Sequence, residues 1–152
     1  MSVEGRLKEL GIEIPEPTPP RFSYLPVNQT GNLVFTSGQL CLKEGKLIYT
    51  GKLGQDLTIE QGQEAARQCI INCLAVLRAH LGSLDRIKKV VKILGFVNSS
   101  PGFTSQPLVI NGASDLLIDV FGENGRHARS AVGTSELPSN TPVEIEIIVE
   151  VE

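Results

Sequence analysis

The sequence predicts an α+β domain of two layers, a mostly antiparallel mixed sheet with two helices packed on one face. Three patterns predict it. Between residues 143 and 151 the odd positions (Val143, Ile145, Ile147, Val149, Val151) are apolar, while Glu144, Glu146, Glu150 and Glu152 are acidic and Ile148 is the exception. A strand with that alternation buries one side and lines the other with carboxylates. Two internal stretches instead repeat their apolar residues at three and four, the period of a helix. Short β-branched and aromatic runs bounded by Gly, Pro and Asn lie between these signals and read as further strands. A chain of 152 residues is long enough to bury one core without staples, so 1–152 is expected to form a single domain.

In chain order, Val3, Leu7 and Leu10 fall on one helical face, and Gly11 can close that short helix. The proline-rich stretch 14–20 reads as an extended connector, because proline fixes φ and removes donors. Residues 21–27 and 32–40 read as strands joined by a turn at 28–31, and 46–50 returns from Glu44-Gly45 to complete an antiparallel meander. Thr58-Ile-Glu-Gln61 is a capping box. Behind it Ala66, Cys69, Ile70, Cys73, Leu74, Leu77 and Leu81 form one apolar stripe that Gly82 ends. The run 90–97 reads as a buried strand. Val109, Ala113, Leu116, Leu117, Val120 and Phe121 mark a second long helix ended by Gly122. The two prolines and Asn140 between Leu137 and Pro142 are turn chemistry, so 129–136 is expected to pair with the last strand as a hairpin. Helices on one side leave the other sheet face free. That face is too apolar for water throughout, which predicts a homo-oligomer.

Composition narrows the function classes. The net charge of −3, with both signs spread along the chain, carries no nucleic-acid footprint. Three cysteines do not make a disulfide framework, and no apolar run spans a bilayer, so the expectation is a cytoplasmic protein with no membrane partner. Cys69 and Cys73, four apart on the apolar stripe with no matching His, read as core residues rather than metal ligands. His80 sits near a helix C-terminus, where it suits the dipole. His127, two before Arg129, shares a strand face with it. Taken alone, the carboxylates and Arg129 fit a solvated sheet face with a rim arginine.

The pattern Ala128-Arg129-Ser130-x-Val132, Leu137-Pro138 and Val143-Glu144-Ile145-Glu146 resembles the C-terminal signature of the RidA/YjgF family of reactive-intermediate deaminases. Gly31-Asn32 with Thr36-Ser37-Gly38-Gln39 resembles its second-strand motif, Tyr24 stands where the family places a pocket tyrosine, and Asn111 looks like its pocket asparagine. The resemblance implies a RidA-like (chorismate-mutase-like) fold, a homotrimer with pockets between subunits, and hydrolysis of small enamines and imines to 2-keto acids and ammonia, with no cofactor and no metal. It also implies roles. Arg129 would grip the substrate carboxylate and Glu144 would orient and deprotonate water. Ser37 and the Gly38 amide would hold the nitrogen or carboxylate, Tyr24 would close the pocket, and Asn111 would brace it. Ala131 departs from the pattern, standing where many family deaminases carry cysteine, although its backbone carbonyl survives the change. An alternative is a non-catalytic trimer that binds small carboxylates as a sensor. Ribonuclease activity, attached by name to some relatives, ranks lower because the acidic face repels a phosphate backbone. In hairpin register Arg129 lies opposite Glu150, about 20 Å from Glu144 at the usual strand rise, so a neighbouring subunit is expected to supply the carboxylate.

Overall fold

The computed structural model describes residues 1–20 and 22–152 of the chain. Helix α1 (Val3–Glu9) is capped by Ser2, whose hydroxyl accepts from the Gly5 amide, and Glu4 occupies the first turn where a carboxylate meets the positive end of the helix. The first hairpin follows the connector. Strand β1 (Val27–Thr30) pairs with β2 (Leu33–Thr36), Val27 opposite Thr36 and Thr30 opposite Leu33, around Gly31 at φ +55. This corrects the expected strand at 21–27 and turn at 28–31: Arg21 lies outside the described residues, residues 22–26 run irregularly, and the strand begins at Val27. Polar Asn28, Gln29 and Thr30 serve as strand residues because β1 is an edge strand with all three exposed.

Strand β3 (Gln39–Leu40) stays on the main sheet, whereas β4 (Leu42–Lys43) and β5 (Lys46–Leu47) form a separate ribbon closed at Glu44 and Gly45. The expected strand at 46–50 is therefore shorter and does not complete a meander in the main sheet. Side-chain bonds hold this region onto the next helix: Asn72 donates to the carbonyls of Leu40 (2.9 Å) and Leu42 (2.8 Å). That helix, α2 (Ile59–Leu81), carries the full capping box, with Thr58 accepting from the Gln61 amide and Gln61 returning to the Thr58 amide, and Gly82 ends it. Strand β6 (Ile87–Asn98), helix α3 (Gln106–Phe121), β7 (Ala128–Thr134) and β8 (Val143–Val151) complete the chain.

The sheet order is β1-β2-β8-β6-β7, with β3 also on β8. All these pairs are antiparallel except β6 with β7, which run parallel through the α3 crossover. The expected C-terminal hairpin is thus corrected: β6 lies between β7 and β8. Turn chemistry at 137–142 does reverse the chain, but reversal does not make neighbours. Stepping over one strand spans only about 10 Å, well within the reach of that loop. Asn98, fully buried at the end of β6, holds the loop in place: its amide N–H donates to the Pro142 carbonyl and its side chain to Asn140 and the Thr141 carbonyl.

The apolar side of β8 packs beneath the helices. Cys69 and Cys73 are small core residues whose thiols donate to the Val143 (3.4 Å) and Ile145 (3.3 Å) carbonyls, and burial pushes the Cys73 thiol up to about 12. Helices α2 and α3 pack on the sheet as expected, and α1 lies against α3, its contacts including Arg6 with the Asp119 carbonyl (2.8 Å). Among the described residues no helix is long and apolar enough to cross a membrane. α2 and α3 touch backbone to backbone at Gly112, where a β-carbon would collide with the main chain of Gln63. Alanine there gains about 1 kcal/mol of helix propensity, but forcing two helices apart costs about 1–3 kcal/mol and displaces the layer that covers β8. Gly112→Ala is therefore expected to lower Tm by several degrees, at roughly 2–4 °C per kcal/mol for a chain of this size. A thermal melt that leaves Tm unchanged or raised would show that the contact does not constrain the helices.

Candidate functional site

Two clusters contain the residues singled out in the sequence. The first lies where β2 passes into β3. Phe35 is opposite Ile148 and Gln39 opposite Ile145, so four steps on one strand meet three on β8 and one residue is extra. That bulge falls at Thr36-Ser37-Gly38, and bulges of this kind re-aim side chains. Ser37 grips the preceding segment twice, its amide donating to the Pro26 carbonyl (2.9 Å) and its hydroxyl to the Leu25 carbonyl (2.5 Å). Tyr24, on that segment, is 52% exposed. Gly38 meets Glu144 directly: a β-carbon at 38 would collide with the Glu144 carboxylate and push that side chain from its present position. Glu144 stands opposite Phe96 on the sheet face away from the helices, and burial, assisted by the Glu146 carboxylate, holds its carboxyl above the ordinary range.

The second cluster sits on the outer strand. Arg129 of β7 is level with Ile93 of β6, a fully buried residue under the helices, so its side chain rises on the helix side. There α3 presents Asn111 and Ser114, three apart and therefore neighbours on one helical face. Arg129 Nη1 donates to Asn111 Oδ1 (2.8 Å) and to Ser114 Oγ (3.1 Å). Ser114 Oγ also lies 2.9 Å from His127 Nε2, and His127 Nδ1 lies 2.6 Å from the Gly125 carbonyl. Arg129 has no carboxylate partner among the described residues. Ala131, level with Gly95, shares the Arg129 face and packs against the core.

Within one chain the clusters do not meet. Arg129 is level with Ile93 and so with Ile147, whereas Glu144 is three residues further along β8 and two strands away. Their Cα atoms are separated by about 14 Å at standard strand spacings. They also project from opposite faces. The structure joins Glu144, Gly38 and Ser37, with Tyr24 tethered near them, and separately joins Arg129 and Asn111. Sequence reasoning missed Ser114. Its only signal was a place one helical turn after Asn111, and nothing in the sequence linked it to His127. The open face also carries exposed Leu33, Phe35 (38%) and Val132 (43%), beside the exposed Phe22 and Leu25 of the tethered segment.

The sequence profile of the family described as "YjgF/chorismate_mutase-like, putative endoribonuclease" matches residues 4–151. The chain belongs to the RidA/YjgF family. It is 46% identical over 149 residues to Protein TCP17 of Trypanosoma cruzi, covering 97% of this chain and 93% of that one. It is 32% identical over 139 residues to a 2-iminobutanoate/2-iminopropanoate deaminase of Dermatophagoides farinae, covering 91% of each. The crystal structure of protein Atu1372 from Agrobacterium tumefaciens, of unknown function, superimposes with a TM-score of 0.91 at 48% identity, covering 99% of this chain and 92% of that one. That structure shares the α+β fold with its mixed sheet.

The environment of Glu144 has a measurable consequence. A carboxyl whose folded pKa is raised binds its proton more tightly in the folded than in the unfolded chain, so stability falls as pH rises through the ordinary carboxylate range toward the raised value. Glu144→Gln removes that penalty. The variant is expected to melt above the parent at pH 7, with the difference closing as pH falls through the raised value and gone below about 4.3, the unperturbed glutamate pKa. A difference that is independent of pH would assign it to packing instead.

Proposed function

We propose that the protein hydrolyses small enamine and imine intermediates derived from amino acids to 2-keto acids and ammonia, in pockets formed between copies of the chain. The observation that carries this reading is the state of Arg129. Both hydrogens of Nη1 are taken by Asn111 and Ser114, no carboxylate pairs with it among the described residues, and its Nε–Nη2 edge makes no hydrogen bond among them. A fixed guanidinium with one edge open matches a substrate carboxylate through two parallel bonds. The name of the mite relative, a 2-iminobutanoate/2-iminopropanoate deaminase, supports the same substrate class.

In this reading Arg129 fixes the carboxylate and Glu144 supplies acid–base chemistry. Its raised carboxyl is a base poised closer to neutrality than a solvated glutamate, suited to taking a proton from the water that attacks the imine carbon. An enamine first takes a proton on carbon to become the imine; water then adds to the imine carbon, both of its protons pass in turn to the nitrogen, and as the hydroxyl gives up the second the C–N bond breaks to leave the keto acid and ammonia. Ser37 and Gly38 shape the wall beside Glu144, and Tyr24 closes it. Ala131 leaves no thiol beside Arg129, so no step passes through one. Imine hydrolysis is intrinsically quick, and a placed base contributes on the order of 10²–10⁴-fold.

Because Arg129 and Glu144 of one chain face opposite ways, one small substrate can meet both only between two copies. The exposed apolar residues of the open face provide surface for that contact, and a homotrimer is the assembly we assign. RNA cleavage, the activity named in the family description, fits less well, since the half-buried Glu144 with Glu146 beside it would meet a phosphate with like charge.

An assay that generates the imine with an amino-acid oxidase and follows keto-acid formation tests the reading. The protein should accelerate formation, Arg129→Ala should lose about 10²-fold or more, and Arg129→Lys should recover less than about tenfold, since a point charge lacks the planar fork. Tight 2-keto-acid binding without acceleration would instead favour a sensor. The shared site has its own test. Arg129→Ala and Glu144→Ala chains, each inactive alone, are mixed equally, unfolded and refolded together. Recovery should approach about one quarter of parental activity, the fraction of random interfaces with an intact Arg129 on one side and an intact Glu144 on the other. No recovery in verified mixed oligomers rejects sharing.

A further inference from the structure

We propose that Ser114 and His127 are positioning residues for Arg129: a proton-ordered chain from the Gly125 carbonyl through His127 and Ser114 fixes the guanidinium plane and so decides which edge is left for a ligand. The inference rests on the reading of Arg129 as a carboxylate anchor and extends it to what orients the Ser114 hydroxyl that holds it.

The direction of every bond in the chain follows from chemistry. The Gly125 carbonyl can only accept, so His127 Nδ1, 2.6 Å away, carries a hydrogen. In neutral imidazole Nε2 is then the acceptor, and at 2.9 Å it takes the hydrogen of the Ser114 hydroxyl. With that hydrogen turned away, Ser114 Oγ offers its lone pairs to Arg129 Nη1 at 3.1 Å. The second Nη1 hydrogen goes to Asn111 Oδ1 at 2.8 Å. Two bonds on one terminal nitrogen hold the guanidinium both in plane and in rotation, leaving Nε and Nη2 together. Each link also polarises the next.

The placement makes alternatives costly. Ser114 is buried, and without His127 its hydroxyl would turn back toward its own helix, as serines do within helices, and lose its alignment with Arg129. Gly125 sets the other end. It is buried so closely against α3 that a β-carbon would collide with the Leu117 carbonyl, which holds the accepting carbonyl in place. Arg129, on an outer strand, has no carboxylate to orient it among the described residues, so these neutral groups do that work.

Titration calorimetry with 2-oxobutanoate and with its amide, which lacks the carboxylate, tests the chain. Ser114→Ala and His127→Phe should each weaken 2-oxobutanoate binding about tenfold, the size of one hydrogen bond to a charged group. Amide binding should stay within about twofold, whereas general damage to the pocket would weaken both. The double variant should be no worse than Ser114→Ala alone, because the two act as one unit. Additive losses, or single losses under about twofold while Arg129→Ala abolishes binding, overturn the proposal. If the parent protein binds neither compound, the anchor reading falls, and nitrogen-15 spectra decide the chain separately. Slow hydrogen exchange at Arg129 Nη1 that becomes fast in Ser114→Ala supports it; equal exchange in both overturns it.

Discussion

The period of a strand governs this molecule. β8 is bonded on one side to β2 and β3 and on the other to β6, so its register is fixed along nearly its whole length. Its odd residues fill the core beneath α2, and the Cys69 and Cys73 thiols reach its carbonyls from that helix. A slip of one residue would put five apolar side chains into the open and three glutamates with Ile148 into the core, which burial forbids. Glu144 is on the open face for that reason alone. The same rule applied to β7, read through its pairing with β6, sends Arg129 to the helix side. One backbone periodicity thus separates the two residues with the most evident chemistry.

Much of this is legible in the sequence. The capping box at Thr58, the three-and-four spacing of the apolar stripe and the stop at Gly82 are each signals spanning only a few residues, and α2 has those ends. The alternation of β8 and the spacing of α3 were equally local. What the sequence could not show was which strands are neighbours. The prolines at 138 and 142 mark a reversal, yet the strand that fills the slot beside β8 is β6, more than forty positions earlier, because its twelve residues bury more under the helices than β7 does. The bulge at Ser37-Gly38 was hidden for a similar reason. An extra residue is defined only against a partner strand, and the sequence does not display the partner.

For the site, the residue types were readable and their company was not. Arg129, Asn111 and Glu144 stood out through a resemblance, and the structure places the first two in contact and the third elsewhere. The expectation of a neighbour-supplied carboxylate was drawn from a hairpin that does not exist. The separation survives for another reason, since in the real topology opposite faces divide the pair more firmly than distance does. Ser114 had no distinguishing signal and His127 only its place two before Arg129, as a serine inside an amphipathic helix and a histidine before a strand show no link until α3 and β7 are set side by side.

The single chain carries costs that a partner and a substrate would relieve. Glu146 disfavours the charge on Glu144, Glu144 is half-buried, and Arg129 is held by neutral groups. Such arrangements weaken folding by desolvation and repulsion, and proteins keep them where charge is needed for something other than stability. The exposed Leu33, Phe35 and Val132 add an unfavourable apolar surface to the same face. In the proposed assembly one event answers all three, because covering the apolar face brings the carboxylate of one copy toward the guanidinium of another, with room between them for a small anion. Direct pairing of the two side chains would then be the competing outcome. The two bonds that fix Arg129 Nη1 oppose it, since a guanidinium that cannot turn toward the carboxylate keeps its open edge for the ligand.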